Sequence, residues 1–215
     1  MNTPPKPDNC TCPIHQDRRR ILRYALAAGG LLWLPADAHA STIKRLEGMV
    51  AINGRKALPD TPVRPGDVIE TGEDGRIAFV VGKDAYLLRS NTRLKLEADT
   101  DNNALIGSLR VFTGALIAAF GRGRRRQIVT PTLTAGIRGT GIYLEASAEE
   151  SYFCLCYGEV DIGQPGGPPS LFTAGHHAGK RSTLQGIQDA PMINHSDVEN
   201  IFVESLVGRK PDFLR

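Results

Sequence analysis

Several classes of function are excluded by what this sequence lacks. It contains no G-x-S-x-G, no H-E-x-x-H and no P-loop, so none of the common catalytic or phosphate-cradling signatures is present. Carboxylates such as Asp60, Asp67, Glu70 and Asp74 sit among turn residues, where capping and solvation explain them. No apolar run is long enough to cross a membrane. The longest candidate, Tyr24 to Leu34, has 11 residues and carries Gly29 and Gly30, whereas a spanning helix needs about 20. Aromatic residues make up only 6 % and do not interleave with basic ones, so single-stranded nucleic acid is not indicated. Cysteine is scarce, with four in 215 residues.

What is present begins with a leader. The polar stretch "MNTPPKPDNCTCPIHQ" precedes "DRRRILR", then the apolar "YALAAGGLLWL" and "PADAHA". This is the order of a secretory signal, with a basic n-region, a short h-region and small residues at the cut. Residues 1–40 are therefore expected to be a signal peptide cleaved after Ala40, with the mature chain in the periplasm. "RRRILR" resembles the twin-arginine export signal: Arg18 and Arg19 form the pair, Ile21 and Leu22 the apolar positions, and Arg23 the final base. Asp17 stands where Ser or Thr is usual, and an arginine-rich general secretory signal is the alternative. Export by the twin-arginine route delivers a folded protein, which suits a chain that must take up a metal first. Cys10, Cys12 and His15 lie inside this leader and are expected to be removed with it.

The leader holds 5 of the 26 basic and 3 of the 23 acidic residues. The mature chain is nearly neutral, which removes the argument for nucleic-acid binding from charge. One local exception is "GRGRRRQ", with Arg122, Arg124, Arg125 and Arg126, read as a solvated hairpin loop or a contact for an acidic partner or lipid headgroups.

From Ser41 to Ser182 the pattern is β throughout: short runs separated by turn signals about every 8–12 residues predict an all-β domain, a sandwich, barrel or solenoid. Asn53-Gly54 marks a hairpin. Further turns are expected at Glu73-Asp74-Gly75, Gly82-Lys83-Asp84, Ser90-Asn91 and Thr113-Gly114, with Val80, Leu87, Leu94 and Leu96 pointing inward. Residues 183–215 form an extension with one amphipathic helix over 197–207. Ser196 and Glu199 make a capping box, Val198, Ile201, Phe202 and Leu206 share a face, and Gly208 and Pro211 stop the helix.

Three stretches, "GMVAINGRKALPDTPVRPGDVIETGEDGRIAFVVGKDAYLLRSNTRLKLE", "VFTGALIAAFG" and "VTPTLTAGIRGTGIYLE…YFCLCYGEVDI", resemble the FecR domain from about Leu46 to Ile162. The most specific elements are Gly66-Asp67 with Thr71-Gly72, and Arg138-Gly139-Thr140 after Thr130-Pro131. The resemblance implies stacked short strands, a β-solenoid or sandwich-like fold, and a non-enzymatic periplasmic sensing, binding or scaffold module. In the name-giving members that module relays a signal from an outer-membrane iron-siderophore transporter to a cytoplasmic anti-sigma segment. Here no anti-sigma segment or spanning helix is read, so the implication is a protein partner in the cell envelope, without nucleic acid and without a stable membrane span. Arg138 is read as glue between loops, through its five donors.

The remaining feature is "SYFCLCYGEV". Strand alternation puts Phe153, Leu155 and Tyr157 on one face, and Tyr152, Cys154 and Cys156 on the other. A disulfide needs Cβ atoms about 3.5–4.5 Å apart, while residues two apart on a strand are separated by about 6.5 Å. Two thiolates on one tetrahedral ion need only about 3.8 Å between sulfurs, within reach of a χ1 rotation or a small bulge. His176, His177 and His195 follow downstream and can complete a Cys/His set for Zn, Cu(I) or Fe. Three fates stay open: a metal site of Cys154, Cys156, His176, His177 and His195, a strained disulfide, or two buried free thiols. The alternative function is accordingly an accessory periplasmic metal-handling or thiol-redox protein.

Overall fold

The computed structural model describes residues 42–214 except residue 104. The expected export leader with its expected cut, and the Cys10, Cys12 and His15 group, lie outside the described residues. The first half of the chain contributes β1 (Thr42–Glu47), β2 (Val50–Ile52), β3 (Arg55–Lys56), β4 (Val68–Thr71), β5 (Arg76–Val81), β6 (Asp84–Leu88), β7 (Arg93–Ala98) and β8 (Ile106–Ala119). The second half contributes β9 (Arg126–Val129), β10 (Thr134–Ile137), β11 (Gly141–Ala146), β12 (Glu150–Gly163), β13 (Ser170–Ala174), β14 (Ala178–Thr183) and β15 (Gly186–Ala190). One helix, α1 (Asp197–Ser205), and a 3-10 turn (Asp212–Leu214) close the chain. Among the described residues no helix is long and apolar enough to cross a membrane.

The strands form two sheets. The first runs β1-β5-β6-β8-β11-β12-β14-β15, antiparallel throughout. The second runs β3-β2-β4-β7-β8-β9-β10-β12-β13, with β8 and β9 parallel and the other pairs antiparallel. Because β8 and β12 belong to both sheets, β8-β11-β12-β10-β9 close into a ring. The sequence reading divided β8 at Thr113-Gly114. The structure instead bends one 14-residue strand there. Gly114 (φ +91°) in β8 and Gly158 (φ +101°) in β12 lie where each strand passes from one sheet to the other. A Cβ at Gly114 would lie 2.3 Å from Thr92 Cα, so glycine is needed there for space as well as for its backbone conformation.

The other turns fall where the sequence placed them. Asn53 and Gly54 both have positive φ between β2 and β3, and Asp67 ties that hairpin by accepting from Asn53 Nδ2 at 2.7 Å and from Arg64 N at 2.6 Å. Strand periodicity then sorts side chains into two clusters. Between the sheets lie Ile77, Phe79, Tyr86, Leu88, Leu94, Leu96, Leu116, Leu144, Phe153 and Leu155, among others. On the outer face of the first sheet lie Ala78, Ala85, Leu87, Ile117, Ala119, Tyr143, Tyr152, Cys154, Cys156 and Tyr157, covered by the C-terminal segment through Val203. Leu94 and Leu96 point into the core as expected. Leu87 and the half-buried Val80 pack in the outer cluster instead.

Helix α1 starts as predicted. The Glu199 carboxylate accepts from Ser196 N at 3.2 Å. It ends on Gly208 (φ +69°), with Gly208 N donating to Ser205 O and Arg209 N to Glu204 O, the paired bonds of a Schellman stop. Its buried face differs from the expectation. Asn200, Val203 and Glu204 are buried, while Val198 is 72 % and Ile201 38 % exposed. Glu204 can turn inward because Tyr157 and Arg209 meet its carboxylate.

The arginine run is a loop with Arg122 and Arg125 exposed, but it joins the parallel β8 and β9 rather than forming a hairpin, and its last arginine is not solvated. Arg126 is buried against Asp84, with Nε and Nη2 each 2.8 Å from a carboxylate oxygen. Arg122 pairs with Asp212 and Arg124 with Asp99. Arg138 pairs with Asp161 across β10 and β12, as glue between neighbouring strands.

Candidate metal centre

The site is built on the middle of β12, an inner strand of the first sheet flanked by β11 and β14. The run Tyr152 to Tyr157 is buried on both faces, which is why it reads as unbroken apolar sequence rather than alternation. Opposite β11 the register steps from Leu155↔Ile142 to Tyr157↔Gly141, leaving Cys156 as the extra residue of a β-bulge. The bulge carries Tyr157 onto the same outer face as both cysteines, where strict alternation had placed it on the other. Gly141 leaves room for that ring, since a Cβ there would meet Tyr157 Cε1 at 2.3 Å.

Two further segments close over the thiols. The turn between β13 and β14 brings in His177, whose backbone N donates to Cys156 O at 3.1 Å and whose φ is +38°. A non-glycine residue in that region is held there by its surroundings. From the C-terminal segment comes His195, just ahead of the helix cap. Its ring stacks on Tyr143 with centroids 4.4 Å apart.

The four ligand atoms, Cys154 Sγ, Cys156 Sγ, His177 Nδ1 and His195 Nε2, all lie within 4.8 Å of one another. Cys154 Sγ is 3.7 Å from His177 Nδ1, Cys156 Sγ is 3.6 Å from His195 Nε2, and the two nitrogens are 3.1 Å apart. A tetrahedral ion with bonds of about 2.3 Å to sulfur and 2.0 Å to nitrogen sets S–N edges near 3.5 Å and N–N edges near 3.3 Å. The residues fit such an ion. The far side of each imidazole is also committed: His177 Nε2 lies 2.7 Å from Asp197 Oδ1, and His195 Nδ1 lies 2.6 Å from Ile193 O. With the N–H of each ring given to that acceptor, the state a bound ion would require, the lone pairs of His177 Nδ1 and His195 Nε2 face the thiols.

Electrostatics divide the cysteines. Cys154 is lowered to about 4, chiefly by a hydrogen bond from Cys156 and, against its burial, by bonds from His195 and His177. Cys156 is pushed up, first by burial and then by the neighbouring Cys154. The proton of the pair is therefore favoured on Cys156. Both thiols are free and fully buried.

Of the five candidates, four converge. His176 stands outside them. It is half exposed and shares Asp197 Oδ1 at 2.9 Å, forming a second, outer group with His177 and Asp197. The sequence reading missed Asp197, Tyr143, the Ile193 carbonyl and the buried Asn200. Asp197 alone left a signal, as the acid two residues after His195 in the first turn of a capped helix.

No protein-family model matches the sequence, and no curated protein does. The FecR resemblance thus has no matching family model behind it. Two crystal structures of a candidate anti-sigma factor from Parabacteroides distasonis are similar to the chain at 12 % and 13 % identity, each with a TM-score of 0.46. Each likeness covers 58 % of this chain and 59 % of that one, less than two thirds of either.

Proposed function

We propose that the chain is a non-enzymatic, FecR-like module of the periplasm, a sensing, binding or scaffold domain with a protein partner in the cell envelope. Its distinguishing part is a closed metal centre formed by Cys154, Cys156, His177 and His195. The single observation that carries the metal reading is the convergence of two sulfurs and two oriented nitrogens from three separate segments at tetrahedral spacing. Two thiolates with two imidazoles suit zinc best, and four protein donors leave no open position for catalysis. The order of the leader supports the compartment, and the FecR resemblance supplies the partner class and any link to iron regulation.

A thiol-redox role is the second reading, favoured by the low value of Cys154. Reactive cysteines need access as well as a thiolate, and both sulfurs here lie beneath the histidines, fully buried. The structural metal centre is therefore preferred. Native mass spectrometry and metal analysis of the exported protein test it. About one zinc per chain, lost in the Cys154→Ser, Cys156→Ser double variant, is the expected result. An apo mass with two alkylatable thiols, or a loss of two hydrogens to a disulfide, overturns it.

A further inference from the structure

We infer that the metal is a clasp: its occupancy governs whether the C-terminal segment covers the outer face of the first sheet. The inference rests on the metal reading above. Three of the four donors belong to the sheet and its turn, with Cys154 and Cys156 in β12 and His177 next to β14. Only His195 comes from the C-terminal segment. Losing the ion therefore cuts one link, and the link it cuts is between the segment and the sheet.

The rest of the segment has little apolar anchorage. Helix α1 has nine residues, and helices shorter than about 12 residues do not persist alone in water. Val203 is its one fully buried apolar side chain, while Phe202, Leu206, Val207 and Phe213 are only partly covered. Val198 and Ile201 face solvent.

The other fastenings are polar, and most cluster at the same end as His195. Arg89 reaches Asn194 O and the Glu199 carboxylate, each at 2.5 Å. Asn194 Nδ2 donates to Glu145 at 2.8 Å. Asp197 joins His176 and His177. At the far end, Glu204 meets Tyr157, Arg209 Nη1 donates to Lys83 O at 2.7 Å, and Arg122 pairs with Asp212 at 2.8 Å. Bonds of this kind exchange for water with little net gain, whereas a bound ion adds a term set by its concentration. The covered state gains by as much as the ion prefers four donors to the three that stay with the sheet, with about a hundredfold as the ceiling at free metal a hundred times Kd. Release would uncover Leu87, Ile117 and Tyr143 on the outer face.

Hydrogen exchange on the full chain tests the clasp, comparing zinc-loaded protein, the same protein after chelation, and His195→Ala. Zinc content is measured on every sample. Amides of 197–206 are expected to lose at least tenfold protection on chelation, while those of β5, β6 and β8 keep theirs. His195→Ala should show the open pattern even with zinc added. Should that variant fail to fold, chelation of the unaltered protein decides the question by itself. Unchanged exchange in 197–206 after zinc is shown to be gone overturns the clasp, as does protection lost evenly across all strands. Absence of zinc from the untreated protein overturns the metal reading itself and is distinguishable from both.

Discussion

The two faces of the first sheet are made by the same strands but are held differently. On the inner face, Phe79, Leu88, Leu116, Leu144, Phe153 and Leu155 meet the second sheet in a continuous apolar core. On the outer face, alanines, three tyrosines and two cysteines meet a short helix through one buried valine and a set of polar contacts. Adjacent residues of β12 thus serve different ends, with Phe153 and Leu155 filling volume and Cys154 and Cys156 presenting sulfur. The inner face is stabilised by burial whatever the solution contains. On our reading the outer face depends on a bound ion.

Truncation separates the two most sharply. Phe153→Ala removes a fully buried ring and is expected to cost about 3–5 kcal/mol, equally with zinc or with chelator, in urea unfolding followed by circular dichroism. Cys154→Ser should lower stability clearly more when zinc is supplied than with chelator. Equal losses for Cys154→Ser in both conditions would show that the sulfur serves packing alone.

A change of the same size is expected at the buried ion pair. Asp84 accepts from Arg126 at 2.8 Å twice and from Gly121 N at 2.8 Å. Asp84→Asn strands a buried guanidinium and should cost about 3–5 kcal/mol. Replacing both members, as Asp84→Leu with Arg126→Met, should recover most of that loss. Failure to recover would mean that the Gly121 hydrogen bond, rather than the pair, carries the effect.

Legibility in the sequence follows the same division. The β-pattern, the Asn53-Gly54 hairpin and the helix caps were readable because each depends on residues close together in the chain. The cysteine face was readable from period two. The bulge at Cys156 was not, because it is set by the partner strand and by the space over Gly141. Arg126 looked like loop charge because its partner, Asp84, is distant in sequence. The helix face was misjudged since the reading grouped the apolar Val198, Ile201, Phe202 and Leu206, whereas tertiary partners bury Asn200 and Glu204 beside Val203. Among the site residues, Asp197 was missed because its place two residues after His195 reads as a helix-start acid, and only the fold brings it behind His177.

Asp197 offers a smaller, more specific test of the outer face. Asp197→Asn keeps the helix start but weakens the acceptor behind His177, and zinc affinity is expected to fall about 10–100-fold. Isothermal titration against a chelator of known affinity would measure it, and unchanged affinity would remove Asp197 from the centre. The thiols give a companion reading. The Cys156 hydrogen bond and the two histidines hold Cys154 low, and burial with the neighbouring Cys154 holds Cys156 high, so the proton released on zinc binding should come chiefly from Cys156. Two protons at pH 7 would contradict the assignment. The sign for stability follows: Cys154 lies below its unfolded value, so its contribution to the apo protein is full above the ordinary thiol range and is lost as pH falls through about 4.

The smallest expected effect lies on the helix itself, between Val198 and Val203. Val203 is fully buried against the outer face, and Val198 is 72 % exposed. Val203→Ala deletes buried methylenes and should cost about 1.5 kcal/mol, read as faster exchange in 197–206. Val198→Ala should change stability by less than about 0.5 kcal/mol. If the two substitutions were equivalent, the helix would not rest on the face that carries Val203. A larger loss at Val198 would turn the helix toward the face that simple periodicity selects, the one shared with Ile201.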